Sequence, residues 1–269
     1  MEVSLETLLS PASAVLWTLL KVAGFLMVVP VFGNQLVSPR IRIALALAIS
    51  IALGPLAAEL AQRQGLTIPS IAEFDISYVP MIIVQVLTGV GLGFAAMIFF
   101  HIFVVAGQFI GMQMGLGFAA MVDPGNGVQV TVWSQFFLML VTLSFLAIDG
   151  HLVLLEVLLT GQTVLPDAAS IAASGVLSAM AMQIVQLGGW MFVGGVLLAL
   201  PAAVALLIVN TSFGVMNRSA PQLNVFSLGF PFGLIFGLLV IWFLLRSWID
   251  FFSEMASEFF QVAMQLIAG

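Results

Sequence analysis

Between Asp75 and Asp123 the only ionisable side chains are Tyr78 and His101. Wound as one α-helix at about 1.5 Å per residue, that run would be about 70 Å long. The hydrocarbon core of a bilayer is only about 30 Å thick. One straight lipid-spanning helix is therefore excluded, and the chain has to bend, break or fold back within the run. The glycines after Ala106 are the expected place. Gly107, Gly111 and Gly115 sit four apart, with Met112, Gln113 and Met114 between them and Gly117, Phe118 and Met121 beyond. Asp123-Pro124-Gly125-Asn126-Gly127 then closes the run.

Composition says what such a chain is built to lie in. Hydrophobic residues make up 62% of it and charged residues 7%, with a mean hydropathy of +1.23. A soluble domain carries about 25% charged residues. This chain cannot clothe its own surface in water, and it reads as an integral membrane protein. Lys21 and the five arginines leave no basic patch for nucleic acid. The absence of cysteine excludes disulfides, thiolate metal sites and cysteine nucleophiles together. Glu2 and Glu6 stand where a signal peptide has positive charge, so this N-terminus is expected to stay in the mature chain. Ser10-Pro11 predicts a helix start, with serine as the N-cap and proline at the first helical position.

Further apolar runs lie on either side of the over-long one. Residues 11–32 form the first, with Lys21 near its middle, followed by a polar break at 33–39 and by Arg40 and Arg42. The second extends from Ile41 to about Leu60 and ends in the i,i+4 pair Glu59 and Arg63. Val128 to Ile148 is apolar and stops at Asp149-Gly150-His151, with a short helix to about Thr160. Gly161 to Ser170 reads as a loop. Residues 171–216 again exceed one span, with Gly188-Gly189, Gly194-Gly195 and Pro201 as expected kinks. Polar Asn217 to Asn224 precedes apolar Val225 to Leu245. In the tail, Asp250, Glu254 and Glu258 recur at i, i+4 and i+8 against Phe252, Met255 and Phe259, which predicts an amphipathic helix with an acidic face. Basic residues mark the cytoplasmic side, which places Arg40, Arg42 and Arg218 there. Over-long, glycine-broken runs in both halves of the chain point to a transport path.

Several clusters admit two readings each. The tandem small-xxx-small spacing of residues 107–115 suits ordinary close helix packing. Methionine, however, is unbranched and seals irregular gaps, so a glycine-loosened, methionine-rich segment beside a transport path would make a deformable seal. Gly89-Val90-Gly91-Leu92-Gly93 with Ala96 superficially fits a dinucleotide fingerprint but lacks the preceding strand, and close helix packing is the better account. Asp149, His151 and Glu156 read as a polar helix terminus rather than a metal site, because no second ligand cluster accompanies them. His101 is either a proton relay or a neutral side chain bonded to nearby backbone. Lys21 either snorkels or faces a protein partner. No motif supports catalysis, and none requires a cofactor.

Three blocks carry a resemblance to a known family. GLGFAAMVDP (115–124), FLAIDGHLVLLEVL (145–158) and RSAPQLNVFSLGFPFGLIFGLLV (218–240) occur in that order. Their most specific residues are Pro221, Gln222, Leu223, Asn224 and Phe226 with Gly229, Phe230 and Pro231; Asp123, Pro124, Asp149, Gly150 and His151 complete the signature. Over essentially its whole length the chain resembles the FliR family, the flagellar type III export-gate subunits, to which injectisome subunits are related.

The resemblance implies an all-α, non-enzymatic protein of bent, membrane-associated helical hairpins in the bacterial inner membrane, at the flagellar basal body. It implies a FliP-like half at about residues 1–165 joined to a FliQ-like half at about 166–269. Assembly with FliP-like and FliQ-like subunits, association with an FlhB-like protein and conduction of unfolded axial proteins are implied with it. Much of such a gate sits above the lipid plane, so hydropathy spans need not be literal crossings. A loop after the long helix of the first half, here about residues 107–122, would plug the pore. Asp123-Pro124 would end the plug and fix the next helix, and residues 221–231 would form a hairpin between the last two long helices. An injectisome subunit is the nearest alternative, and a secondary transporter for a small solute is the rival from another class.

Overall fold

The computed structural model describes residues 5–30, 32–33, 37–63, 68–70, 75–116, 131–160, 176–219 and 225–268. Among them the regular structure is helical throughout. The α-helices are α1 (Leu5–Val28), α2 (Pro39–Arg63), α3 (Val79–Gln113), α4 (Val132–Ala147), α5 (Gly150–Thr160), α6 (Val176–Ser219), α7 (Val225–Leu244) and α8 (Trp248–Ala268). Short 3-10 turns at Ile76–Tyr78 and Leu245–Ser247 lead into α3 and α8. The chain divides into two compact units, residues 1–98, 148–187 and 258–269 in one, 99–147 and 188–257 in the other.

In the first unit α1 packs against α2 and the early part of α3. The face of α2 that is buried carries only small residues, Ala46, Ser50, Gly54, Ala57 and Ala61. A Cβ on Gly54 would stand 2.8 Å from Val15 Cγ2, so small size there sets the helix separation. Contact between α1 and α3 is closer still. A Cβ on Gly24 would come within 2.7 Å of Val86 O, one on Gly93 within 2.9 Å of Phe25 O, and one on Gly89 would overlap the carbonyl oxygen of Lys21. The glycine cluster at 89–93 is thus a helix-packing device, as expected. Trp17 Nε1 donates to Pro69 O at 3.1 Å and ties the segment before α3 back to α1.

The second unit is aromatic. Phe99 is fully buried and has Phe100, Phe103, Phe145, Trp190 and Phe252 within ring-centroid distances of 6.5 Å. Trp248 stacks on Phe137 at 5.7 Å and donates from Nε1 to Ser144 Oγ at 3.0 Å. Buried aromatic pairs of this kind add to the gain from area burial. A Cβ on Gly195 would meet Ile102 O at 3.0 Å, so α6 also packs on α3 through a glycine.

Several expectations change. The helix begins at Leu5, so Ser10-Pro11 lies inside α1 and does not start it. Proline loses its own N–H bond and crowds the carbonyl one turn back, yet the helix runs on through Pro11. Gly188-Gly189, Gly194-Gly195 and Pro201, the expected kink positions, lie inside α6 and do not end it. Pro231 and Gly229 lie within α7, so the expected 221–231 hairpin is helical from Val225 onward, and its first four residues lie outside those described. Lys21 neither snorkels nor faces a partner: it is 1% exposed, enclosed by its own chain.

Among the described residues, five helical stretches are long and apolar enough to cross a membrane: Pro11–Val28, Pro39–Arg63, Val79–Gln113, Ala181–Met216 and Gly229–Leu266. Large apolar side chains cover their outer faces, among them Ile43 and Ile51 on α2, Leu207 and Ile208 on α6, and Ile235 and Trp242 on α7. Surface of that kind requires lipid or protein against it.

Candidate functional site

The over-long run breaks once among the described residues, and the three glycines at its end do two different jobs. α3 continues through Gly107 and Gly111 to Gln113. A Cβ on Gly107 would lie 2.7 Å from Ser134 N and Cα, and one on Gly111 would lie 2.7 Å from Thr131 Cβ. These two glycines let the start of α4 cross the end of α3 at backbone contact. Gly115 is the helix stop. It has φ +83, in the left-handed region that glycine enters without steric cost. Leu116 N donates to Gly111 O and Gly115 N to Met112 O, both at 3.0 Å. That pair of bonds is a Schellman closure, which satisfies carbonyls the helix end would otherwise leave open.

A polar clasp holds the crossing. Gln108 Oε1 accepts from Thr131 N at 3.0 Å, and Thr131 Oγ1 donates to Gly107 O at 3.2 Å. Ser134 Oγ lies within donating distance of Val104 O (3.0 Å) and Gln108 Oε1 (3.2 Å). Ser134 N donates to Thr131 Oγ1 at 3.3 Å, which makes Thr131 the N-cap of α4. Residues 117–130 therefore leave and return through one tied root. Gln108→Leu leaves Thr131 N without its acceptor, while Ser134 Oγ keeps Val104 O. An unpaired buried donor costs about 1–3 kcal/mol and this one is part-buried, so the variant is expected to lower the thermal midpoint of the purified assembly by a few degrees. An unchanged midpoint would show that the clasp does not hold the root.

The end of α3 is also received by α6 and α7. Asn210 Nδ2 donates to Gln113 O at 3.1 Å. Met114 is 2% exposed and fills a notch on α7, where a Cβ on Gly237 would lie 2.6 Å from Met114 Cγ and Sδ. Gly233 faces Met114 O, and the Phe230 ring lies 3.4 Å from the position a Cβ on Gly115 would take. Met112, two residues earlier, is half exposed. The two methionines expected to act alike are thus held differently.

The structure brings together Gly107, Gly111, Met112, Gln113, Met114 and Gly115, and sets Phe230 of the third signature block beside them. Gly117, Phe118, Met121, Asp123, Pro124, Pro221, Gln222, Leu223 and Asn224 lie outside the described residues. Phe226, Gly229 and Pro231 are in the first two turns of α7. Asp149, at φ 55, and Gly150 and His151 make the turn into α5, where Asp149 O accepts from Leu152 N at 2.8 Å. This is the polar helix terminus the sequence suggested. Thr131 caps α4, and the expected cap Asp123 lies outside the described residues. Sequence reasoning passed over Gln108, Thr131, Ser134, Asn210, Gly233 and Gly237. Two signals were available: Thr131-x-x-Ser134 ahead of an apolar run, and Gly229, Gly233 and Gly237 at the same four-residue spacing as the first triplet.

Residues 12–259 match the family described as bacterial export proteins, family 1. The chain is 32% identical over 251 residues to the flagellar biosynthetic protein FliR of Pectobacterium carotovorum subsp. carotovorum, covering 93% of this chain and 91% of that one. It is 31% identical over 268 residues to FliR of Escherichia coli (strain K12), covering 100% and 98%. With FliR of Bacillus subtilis (strain 168) it shares 26% identity over 219 residues, covering 81% and 80%. The chain belongs to the FliR family and is a non-enzymatic, membrane-embedded component of the flagellar type III export gate in the inner membrane.

Proposed function

We propose that the segment springing from the root at Gly107–Leu116 and Thr131–Ser134 is the plug of the export conduit. Gly117, Phe118 and Met121 close the lumen together with Met112, while Asp123-Pro124 ends the plugging stretch. The observation that carries this reading is the tied root: a helix stop at Gly115, an N-cap at Thr131 and a shared acceptor at Gln108. Both ends of the proposed plug are thereby set by the ends of α3 and α4. Unbranched, polarizable methionine suits a seal that yields to chains of differing shape.

In this reading the chain assembles with FliP-like and FliQ-like subunits, resembling the first over about residues 1–165 and the second over about 166–269. An FlhB-like protein associates with the assembly, and unfolded flagellar subunits are its cargo. The exposed apolar faces of α2, α6 and α7 supply surface for those neighbours and for lipid. Energy for export comes from other components.

Removing residues 117–122 tests the plug. Eight residues remain between Leu116 and Thr131 and reach about 26 Å at about 3.3 Å each, enough to close the root. The shortened gate is expected to assemble in full and to leak ions in a conductance assay while export is idle. A gate that assembles and stays tight would refute the plug. Saturable uptake of a small solute by the isolated chain in liposomes would refute the gate reading altogether.

A further inference from the structure

Two of the polar side chains buried in the first compact unit belong to long residues on facing helices. Lys21 on α1 is 1% exposed and Gln85 on α3 is 2% exposed. Neither Lys21 Nζ nor Gln85 Oε1 has a hydrogen-bond partner among the described residues, so they do not bond to each other directly. Both lie on one seam. Gly89 packs on the backbone of Lys21 and Phe25, and Gly93 packs on Phe25, Val28 and Val29. These pairings advance together, so α1 and α3 run parallel, with Lys21 level with Gly89. Helical side chains lean toward the N-terminus of their own helix. The long stem of Lys21 accordingly reaches back about one turn, to the level of Gln85, which stands one turn before Gly89.

Among the described residues no counter-charge bonds to the ammonium. On α1 the nearest carboxylate in sequence is Glu6, about four turns away. Glu59 on α2 is exposed and paired with Arg63 at 3.9 Å, and Glu156 on α5 is exposed. The hydroxyls of Thr18 and Ser50 donate to the carbonyls of Ala14 and Ala46 on their own helices. A buried ammonium without an acceptor is strongly unfavourable, and so is a buried amide oxygen without a donor. One molecule relieves both if it accepts at one side and donates at the other. An anion suits the ammonium but opposes the lone pairs of the amide oxygen. A carboxylate from a neighbouring subunit is shut out by the burial of both groups. Water meets both requirements.

We propose that Lys21 Nζ and Gln85 Oε1 bind one structural water between α1 and α3, and that this bridge fixes the axial register of the two helices. The rest of the seam is glycine against backbone and apolar side chains, which resists separation but gives sliding no directional penalty. A buried polar contact that specifies register is a recognised use of such groups. The site is independent of the plug.

The test uses the intact gate complex purified from membranes, with Lys21→Met, Gln85→Leu and the double variant. Each single change is expected to lower the thermal midpoint, and the double variant to recover at least half of the larger loss. A map of the unmodified complex fine enough to resolve ordered water is expected to show density within hydrogen-bond distance of both atoms. Additive losses would overturn the bridge. So would a map with a direct Nζ to Oε1 bond, a neighbour's carboxylate at Nζ, or no density between the two groups; the map decides the matter even if a single variant fails to assemble.

Discussion

Gly89→Val is expected to abolish the gate: no motility, no export and no chain recovered in assembled complexes. A Cβ at Gly89 overlaps the carbonyl oxygen of Lys21, and it also stands 2.9 Å from Lys21 C and 3.0 Å from Phe25 N. All three are backbone atoms, so no rotamer change clears the space. α1 and α3 would have to move apart along their whole contact, unseating Gly24 and Gly93 as well, each of which sits below 3.0 Å from backbone in the same sense. Overpacking a core by a methyl group costs about 1–3 kcal/mol when side chains can yield; here they cannot. Gly89→Ala is expected to leave a several-fold reduced yield and Gly89→Val none. The control is Gly188→Ala on α6, where a Cβ would meet nothing within 4 Å, and its yield is expected to match the unmodified chain. Wild-type assembly by Gly89→Val would show that α1 and α3 do not meet as described.

Much of this architecture was legible because its signals are local. The apolar runs gave the helices to within a few residues. The period of the tail placed Asp250, Glu254 and Glu258 on the exposed face of α8 and Phe252 and Phe259 on the buried one. A run too long for one span had to break between Asp75 and Asp123, and Gly115 supplies the break. What the sequence could not separate was the function of each glycine. A four-residue spacing reads the same whether the residue admits a neighbouring helix, as Gly107 and Gly111 do, or ends its own, as Gly115 does. The difference lies in the partner, and Thr131 arrives from beyond a connection of fourteen residues that lies outside those described. Lys21 was ambiguous for the same reason. Whether it reaches solvent depends on α3, more than fifty residues away in the chain. The Pro221–Pro231 block was recognised as a signature and assigned to a hairpin; from Val225 onward it is helix, and Pro221–Asn224 lie outside the described residues. Further along α7, Gly233 and Gly237 thin the helix to receive Met114.

That thinning leads to the second large effect, at Gly237. Gly237→Val places branched carbon where Met114 Cγ and Sδ lie, at 2.6 Å from the first added atom, so Met114 must leave the notch. Its exit disturbs the Schellman turn one residue on, the bond from Asn210 to Gln113, and the direction in which residues 117–130 depart. The variant is expected to assemble, because α7 keeps its other contacts, but to lose most export and to leak ions at rest. Met114→Ala alone leaves the notch empty, and truncating a buried methionine costs about 2–5 kcal/mol. Its export is expected to fall by less, since a cavity leaves the turn in place. The informative case is the pair: in Met114→Ala with Gly237→Val the valine refills the space, and export and tightness are expected to return to at least half of normal. Met112→Ala is expected to give no such rescue of Gly237→Val, because the half-exposed Met112 does not occupy the notch. A double variant no better than Gly237→Val would mean that Met114 does not latch the end of α3 to α7. Rescue by Met112→Ala instead would mean that the two methionines share one role, and that the loop is held by its own packing rather than by the glycine notch beneath it.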